Sequence, residues 1–89
     1  MANVRLIAPF AAAAGAREIS IDGQTIGELC RTLAERYGGS FLRLLDREGK
    51  LSKDVVVLVN RQNAHTLSGA QTRLGSDTEV LIMPLMSGG

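Results

Sequence analysis

The chain has no tryptophan, one tyrosine and two phenylalanines, so aliphatic side chains must fill its interior. Its one cysteine, Cys30, excludes an internal disulfide, and its one histidine, His65, leaves no Cys/His set with metal-ligand spacing. Long hydrophobic runs are missing as well. The β-branched run VVVLV at Val55 to Val59 is far shorter than the roughly 20 residues a bilayer span requires, and the opening MANVRLIAPF lacks the long apolar stretch of a secretory leader. Charge of one sign is also scarce. The formal net charge is +1, and the ten lysines and arginines run from Arg5 to Arg73 without a basic cluster, so no nucleic-acid footprint appears. The expectation is a soluble, cytoplasmic protein with no membrane or nucleic-acid partner, its lone thiol suited to a reducing compartment.

What is present fits one domain of 89 residues, a length that buries roughly 60% of the surface exposed by the unfolded chain. VRLIAPF predicts a first strand at about residues 3–8, closed by Pro9, which cannot donate to a ladder. AAAAG is too short to nucleate a helix alone and reads as a loop ending at Gly15. REISID alternates Ile19 and Ile21 with polar residues and reads as a second strand, hairpin-paired with the first. TIGELCRTLAERYGG carries the clearest local signature. Thr25 and Glu28 form a capping box, Ile26, Leu29, Cys30, Leu33 and Tyr37 make one apolar stripe, and Gly38 and Gly39 stop the helix at about 26–37. Gly27, in its first turn, is disfavoured by about 1 kcal/mol relative to alanine and has no reason in the sequence itself, unless backbone approaches it closely. A short helix or turn follows around Phe41 to Leu45, with Phe41, Leu44 and Leu45 inward. VVVLVN reads as a strand paired on both sides, 61–71 as a loop across the sheet edge with a short strand near 64–67, and EVLIMP as a last strand ended by Pro84. Strands with a helix laid across one face define an α+β two-layer domain.

The inventory for catalysis by the domain itself is thin. Cys30 lies on the apolar stripe and reads as a small buried hydrophobe, and His65 as a solvated loop histidine. The carboxylates of Asp46, Glu48 and Asp54 show no paired arrangement, and the glycines of GAREISIDG do not match a phosphate-binding spacing. The tail PLMSGG is different. Gly88 and Gly89 carry no side chains and suit a channel too narrow for a Cβ, and the α-carboxylate of Gly89, ionised at neutral pH, has no neighbouring side chain to block attack at its carbonyl carbon. A carboxylate is a poor acyl donor until activated, and adenylation by ATP is chemistry that suits it.

The strand–strand–helix order, LVN at Leu58 to Asn60, LGSDTEV at Leu74 to Val80, the opening LIAPFAAAAGAREISI and the terminal PLMSGG together resemble the ubiquitin-like sulfur carriers. The similarity is greatest to the small subunit of molybdopterin synthase, in a family that also holds the thiamine-pathway carrier. The resemblance implies a β-grasp fold: a mixed sheet of four to five strands with one main helix, a domain over residues 1–84 and a flexible tail over 85–89. It implies that the chain is a sulfur-donating cosubstrate and not an enzyme, with no tightly bound cofactor. An ATP-dependent adenylating enzyme would activate Gly89, a persulfide donor would convert it to a thiocarboxylate, and a larger catalytic synthase subunit would receive the tail. Gly88, Ser87 and Met86 would thread into the partner, with Leu85 and Phe10 as docking residues. The pterin of the molybdenum cofactor is the leading acceptor. Thiamine, cysteine or tungsten-cofactor pathways, and conjugation to proteins through Gly89, stay open.

Overall fold

Alternation of side chains decides the two faces of the sheet. The computed structural model describes residues 1–85. Five strands, β1 (Ala2–Leu6), β2 (Glu18–Ile21), β3 (Val55–Val59), β4 (Gln62–Asn63) and β5 (Glu79–Pro84), lie in the order β2-β1-β5-β3-β4. The β1–β5 pair is parallel and the others antiparallel, which makes the sheet mixed. Registers Val4↔Val80, Leu6↔Ile82, Val57↔Ile82 and Val59↔Val80 place these apolar residues on one face, where all are buried. That face carries the helical layer. This is the β-grasp arrangement, and the two expected sheet neighbours of β3 are β5 and β4.

The main helix α2 (Ile26–Tyr37) has the expected bounds because its signals are local. The Thr25 hydroxyl accepts the Glu28 backbone N–H at 3.2 Å, satisfying one of the donors that a helix start leaves unpaired. Ile26, Leu29, Cys30 and Leu33 are buried against the sheet. At about 1.5–3 kcal/mol for each large aliphatic side chain, that burial outweighs the marginal stability of so short a helix in water. Gly27 has its reason in the segment that crosses the helix start. A Cβ there would meet the carbonyl oxygen of Ala70 at 3.0 Å and its Cβ at 3.4 Å.

Three local expectations are corrected. AAAAG is not a loop: Phe10–Ala14 form a short helix, α1. Its stability is tertiary, because Phe10 is sunk into the core against Phe41 with ring centroids 5.4 Å apart, and Gly15 closes it in the left-handed conformation at φ 73°. β1 ends at Leu6 rather than at residue 8, since turn geometry leading into Pro9 takes over. The short edge strand is Gln62–Asn63, not 64–67. A two-residue turn at Asn60 and Arg61 brings Gln62 opposite Val59, and residues Ala64–Thr66 then close into a 3₁₀ turn whose His65 N–H is held by the Asn63 side chain at 2.9 Å. The turn expected around Phe41 to Leu45 is a 3₁₀ segment at Gly39–Arg43, with Phe41 and Leu44 buried and Leu45 half-buried.

Candidate functional site

The expected reactive tail leaves from the middle strand of the sheet. β5 is laddered on both sides, to β1 and to β3, and the pairing runs to its last residue, Pro84, opposite Val55. Proline has no N–H to extend a ladder. One bond lies beyond it: the Leu85 N–H donates to the Asp54 carbonyl at 3.0 Å. The root of the tail is therefore pinned to the sheet through Leu85. Met86, Ser87, Gly88 and Gly89 lie outside the described residues.

The apolar stretch EVLIMPL could not be divided between core and surface from sequence, since it offers aliphatic side chains on both faces. The register divides it. Val80 and Ile82 point into the core, while Leu81, Met83 and Leu85 alternate onto the face opposite α2. Leu81 pairs with Leu58 and Met83 with Val56 on that same face, and Ile7, just past β1, continues it. Among the described residues no element covers it. Leu81, Met83, Val56 and Leu58 are half-buried, Ile7 and Leu85 exposed, Leu85 at 58%. The surface is continuous with the tail's root and rimmed by Arg5, Glu18, Glu79 and Arg61, and exposed apolar patches of this kind are the type that protein interfaces use.

Of the two residues expected to dock, Leu85 is on this face and Phe10 is not. Phe10 is 3% exposed, and its ring belongs to the core, so its place near the end of the first hairpin in sequence does not bring it to the surface. It reaches outward only as one wall of a cavity of about 210 Å³ beneath the tail's root, lined also by Pro9, Ser40, Arg43, Val55 and Pro84.

Among the described residues, the catalytic candidates Cys30 and His65 have no supporting geometry. Burial within the core pushes the Cys30 thiol up to about 12, which keeps it protonated and unreactive at neutral pH. His65 is exposed, and its Nε2 lies 3.2 Å from the Val55 carbonyl oxygen, an acceptor that requires the proton on that nitrogen. The two do not form a nucleophile–base pair. Among the described residues there is no cluster of three or more metal-ligating side chains, and no helix is long and apolar enough to cross a membrane.

Sequence reasoning missed two residues of this face, Asn60 and Arg61. Both have positive φ, 49° and 72°, as the two central residues of a tight hairpin turn. The available signal was an asparagine standing between the run VVVLV and a polar pair able to return as a strand.

A mixed sheet grasping one main helix defines a ubiquitin-like, β-grasp domain, here with an uncovered apolar face and a tail rooted in the central strand. The model of the ThiS family matches residues 4–89, and the chain belongs to that family. The sulfur carrier protein CysO of Mycobacterium tuberculosis is 31% identical over 77 residues, covering 84% of this chain and 83% of that protein. The solution structure of small archaeal modifier protein 1 from Methanosarcina acetivorans is 26% identical, with a TM-score of 0.85 over 99% of this chain and 95% of that one. A chain of the Amycolatopsis orientalis BexX/CysO complex, 22% identical, superposes with a TM-score of 0.87 over 100% of both, a likeness of fold. The chain is thus similar to sulfur carriers and to a protein modifier, which share one architecture.

Proposed function

We propose that the protein is a sulfur carrier whose Gly89 carboxylate is the reacting group. The observation that carries this reading is the root of the tail: a strand paired on both sides delivers Leu85 to the edge of an uncovered apolar face, with four residues, Met86 to Gly89, beyond it. Four extended residues reach at most about 14 Å. A protein whose active site takes Gly89 must then sit against Leu85 and the face around it.

The chemistry follows from the acyl group. A carboxylate oxygen of Gly89 attacks the α-phosphorus of ATP in the active site of an adenylating partner, and pyrophosphate leaves. The terminal sulfur of a protein persulfide attacks the acyl carbon, and AMP leaves. A second thiol then cleaves the S–S bond, forming a disulfide and releasing the thiocarboxylate. The carrier contributes no acid, base or metal to these steps. It supplies a substrate group free of side chains and a surface that positions it. The larger catalytic subunit that takes the sulfur docks on the same face in turn, and the pterin precursor of the molybdenum cofactor is its substrate in the reading favoured by the sequence resemblance. The likeness to CysO supports the carrier role without selecting that acceptor.

The likeness to an archaeal modifier supports a second reading, in which the same adenylate is captured by a lysine of a target protein. One experiment separates the readings. The purified chain is incubated with its adenylating enzyme, ATP and a persulfide donor, and the intact mass is measured. Exchange of one oxygen for sulfur, localised to the C-terminal peptide and absent without ATP, is the expected result. An unchanged mass, with the enzyme shown to be active on another carrier, would refute the proposal. Lysine-linked conjugates that vanish on deleting Gly89 would establish the modifier reading.

A further inference from the structure

One part of the uncovered face is chemically specific. A cavity of about 180 Å³ opens at the end of the face farther from the tail, with the Leu58 and Leu81 side chains as its apolar lining and Arg5, Arg61 and Glu79 as its charged lining. Two guanidinium groups against one carboxylate leave one positive charge unbalanced. Neither arginine makes an ion pair within the described residues, where the one ion pair joins the exposed Lys50 and Glu48. Glu18, cross-strand from Arg5, is instead engaged by Asn3, whose side-chain N–H donates to its carboxylate at 2.8 Å.

The backbone adds a second observation. Asn60 and Arg61 both adopt the left-handed conformation. The identity of Asn60 is accounted for: its N–H donates to the Glu79 carbonyl at 2.8 Å, and its side-chain oxygen accepts the Glu79 N–H at 2.9 Å, clamping the turn to the start of β5. No such bond involves the Arg61 side chain among the described residues. At φ 72° glycine would be favoured, and glycine is the usual second residue of such turns. A side chain held against its backbone preference and without a partner in the fold points to a partner outside it.

We propose that this cavity receives an aspartate or glutamate side chain, with an apolar neighbour, from the protein that adenylates Gly89. Arg5 and Arg61 hold the carboxylate in charge-assisted hydrogen bonds, and Leu58 and Leu81 cover the apolar neighbour. Glu79 limits the site to a single acid. The assignment deepens the carrier reading and rests on it.

ATP–pyrophosphate exchange by the adenylating enzyme, with this chain as the varied substrate, tests the proposal. Arg61→Gly relieves the backbone strain, so its melting temperature stays level or rises, while the KM for the chain rises about tenfold with kcat unchanged. Arg61→Glu and Arg5→Glu raise KM further, and reversing the matching acid on the enzyme to arginine restores Arg61→Glu. A KM within twofold of wild type for both Arg61 variants overturns the proposal, as does normal exchange combined with impaired sulfur transfer to the acceptor protein. Absence of exchange with the wild-type chain would instead refute the carrier reading, and the docking site with it.

Discussion

Replacing Gly27 by alanine sets two effects of similar size against each other. Alanine inside a helix is favoured over glycine by about 1 kcal/mol, so at an open position the change stabilises. At Gly27 the new methyl would stand 3.0 Å from the Ala70 carbonyl oxygen, so tight that the oxygen would have to give way by a few tenths of an ångström. Relief would require moving the 3₁₀ turn at Gly69–Gln71, and that turn has little freedom. The chain just past it is tied to the helix start, since Ile26 donates to the Thr72 carbonyl at 3.0 Å and Leu74 to the Gln24 carbonyl at 2.9 Å. Overpacking against such a neighbour costs about 1–3 kcal/mol. The balance is a net loss of about 1 kcal/mol, read by thermal or urea unfolding as a melting temperature lower by about 4–8 °C. A rise of that size would mean that the contact yields freely, and the account of Gly27 as a site of forced close approach would be wrong.

Phe10→Ala removes a core ring and should destabilise by about 3–5 kcal/mol in chemical denaturation, whereas Leu85→Ala should leave stability within about 0.5 kcal/mol of wild type. Met83→Glu, on the uncovered face, should abolish capture of the adenylating enzyme while the near-native unfolding midpoint is kept; retained capture would place the docking surface elsewhere. Thr25→Ala should lower stability by about 1 kcal/mol through the lost cap on α2. The buried thiol predicts a pH effect. Its ordinary value near 9.0 is raised to about 12 in the folded chain, so between these values the unfolded state has lost a proton that the native state keeps, and stability falls as pH rises. Relative to Cys30→Ala, wild type should lose about 2 kcal/mol between pH 8 and 10.5, from about 1.4 kcal/mol per unit above 9. Equal pH profiles for the two proteins would show that the thiol is not shielded.

Where a signal was local and repeated, the sequence was legible. α2 is bounded by a cap, a stripe and a pair of glycines that agree with one another, and VVVLV and EVLIMP admit little but buried strands. α1 was not legible. Its five residues become helical because Phe10 is anchored on Phe41, a contact between segments about thirty positions apart in the chain. The same contact removes Phe10 from the docking surface. The division of the last strand into core and face needed the register with β1 and β3, since a run that is apolar at every position carries no period-two signal of its own. Arg61 escaped notice because an arginine in a polar loop is ordinary, and only its φ of 72° and its place beside Leu58 and Leu81 make it otherwise.

The pairing of β5 on both sides also sets how the domain responds to force. A partner that drew the tail into a channel would pull along the axis of this strand, from its C-terminal end. An edge strand can be peeled away one hydrogen bond at a time, but β5 is loaded in shear, with the bonds to β1 and to β3 resisting together. On the carrier reading proposed above, a chain gripped by its end by one enzyme after another would be held and released without the pull being spent on unravelling the sheet.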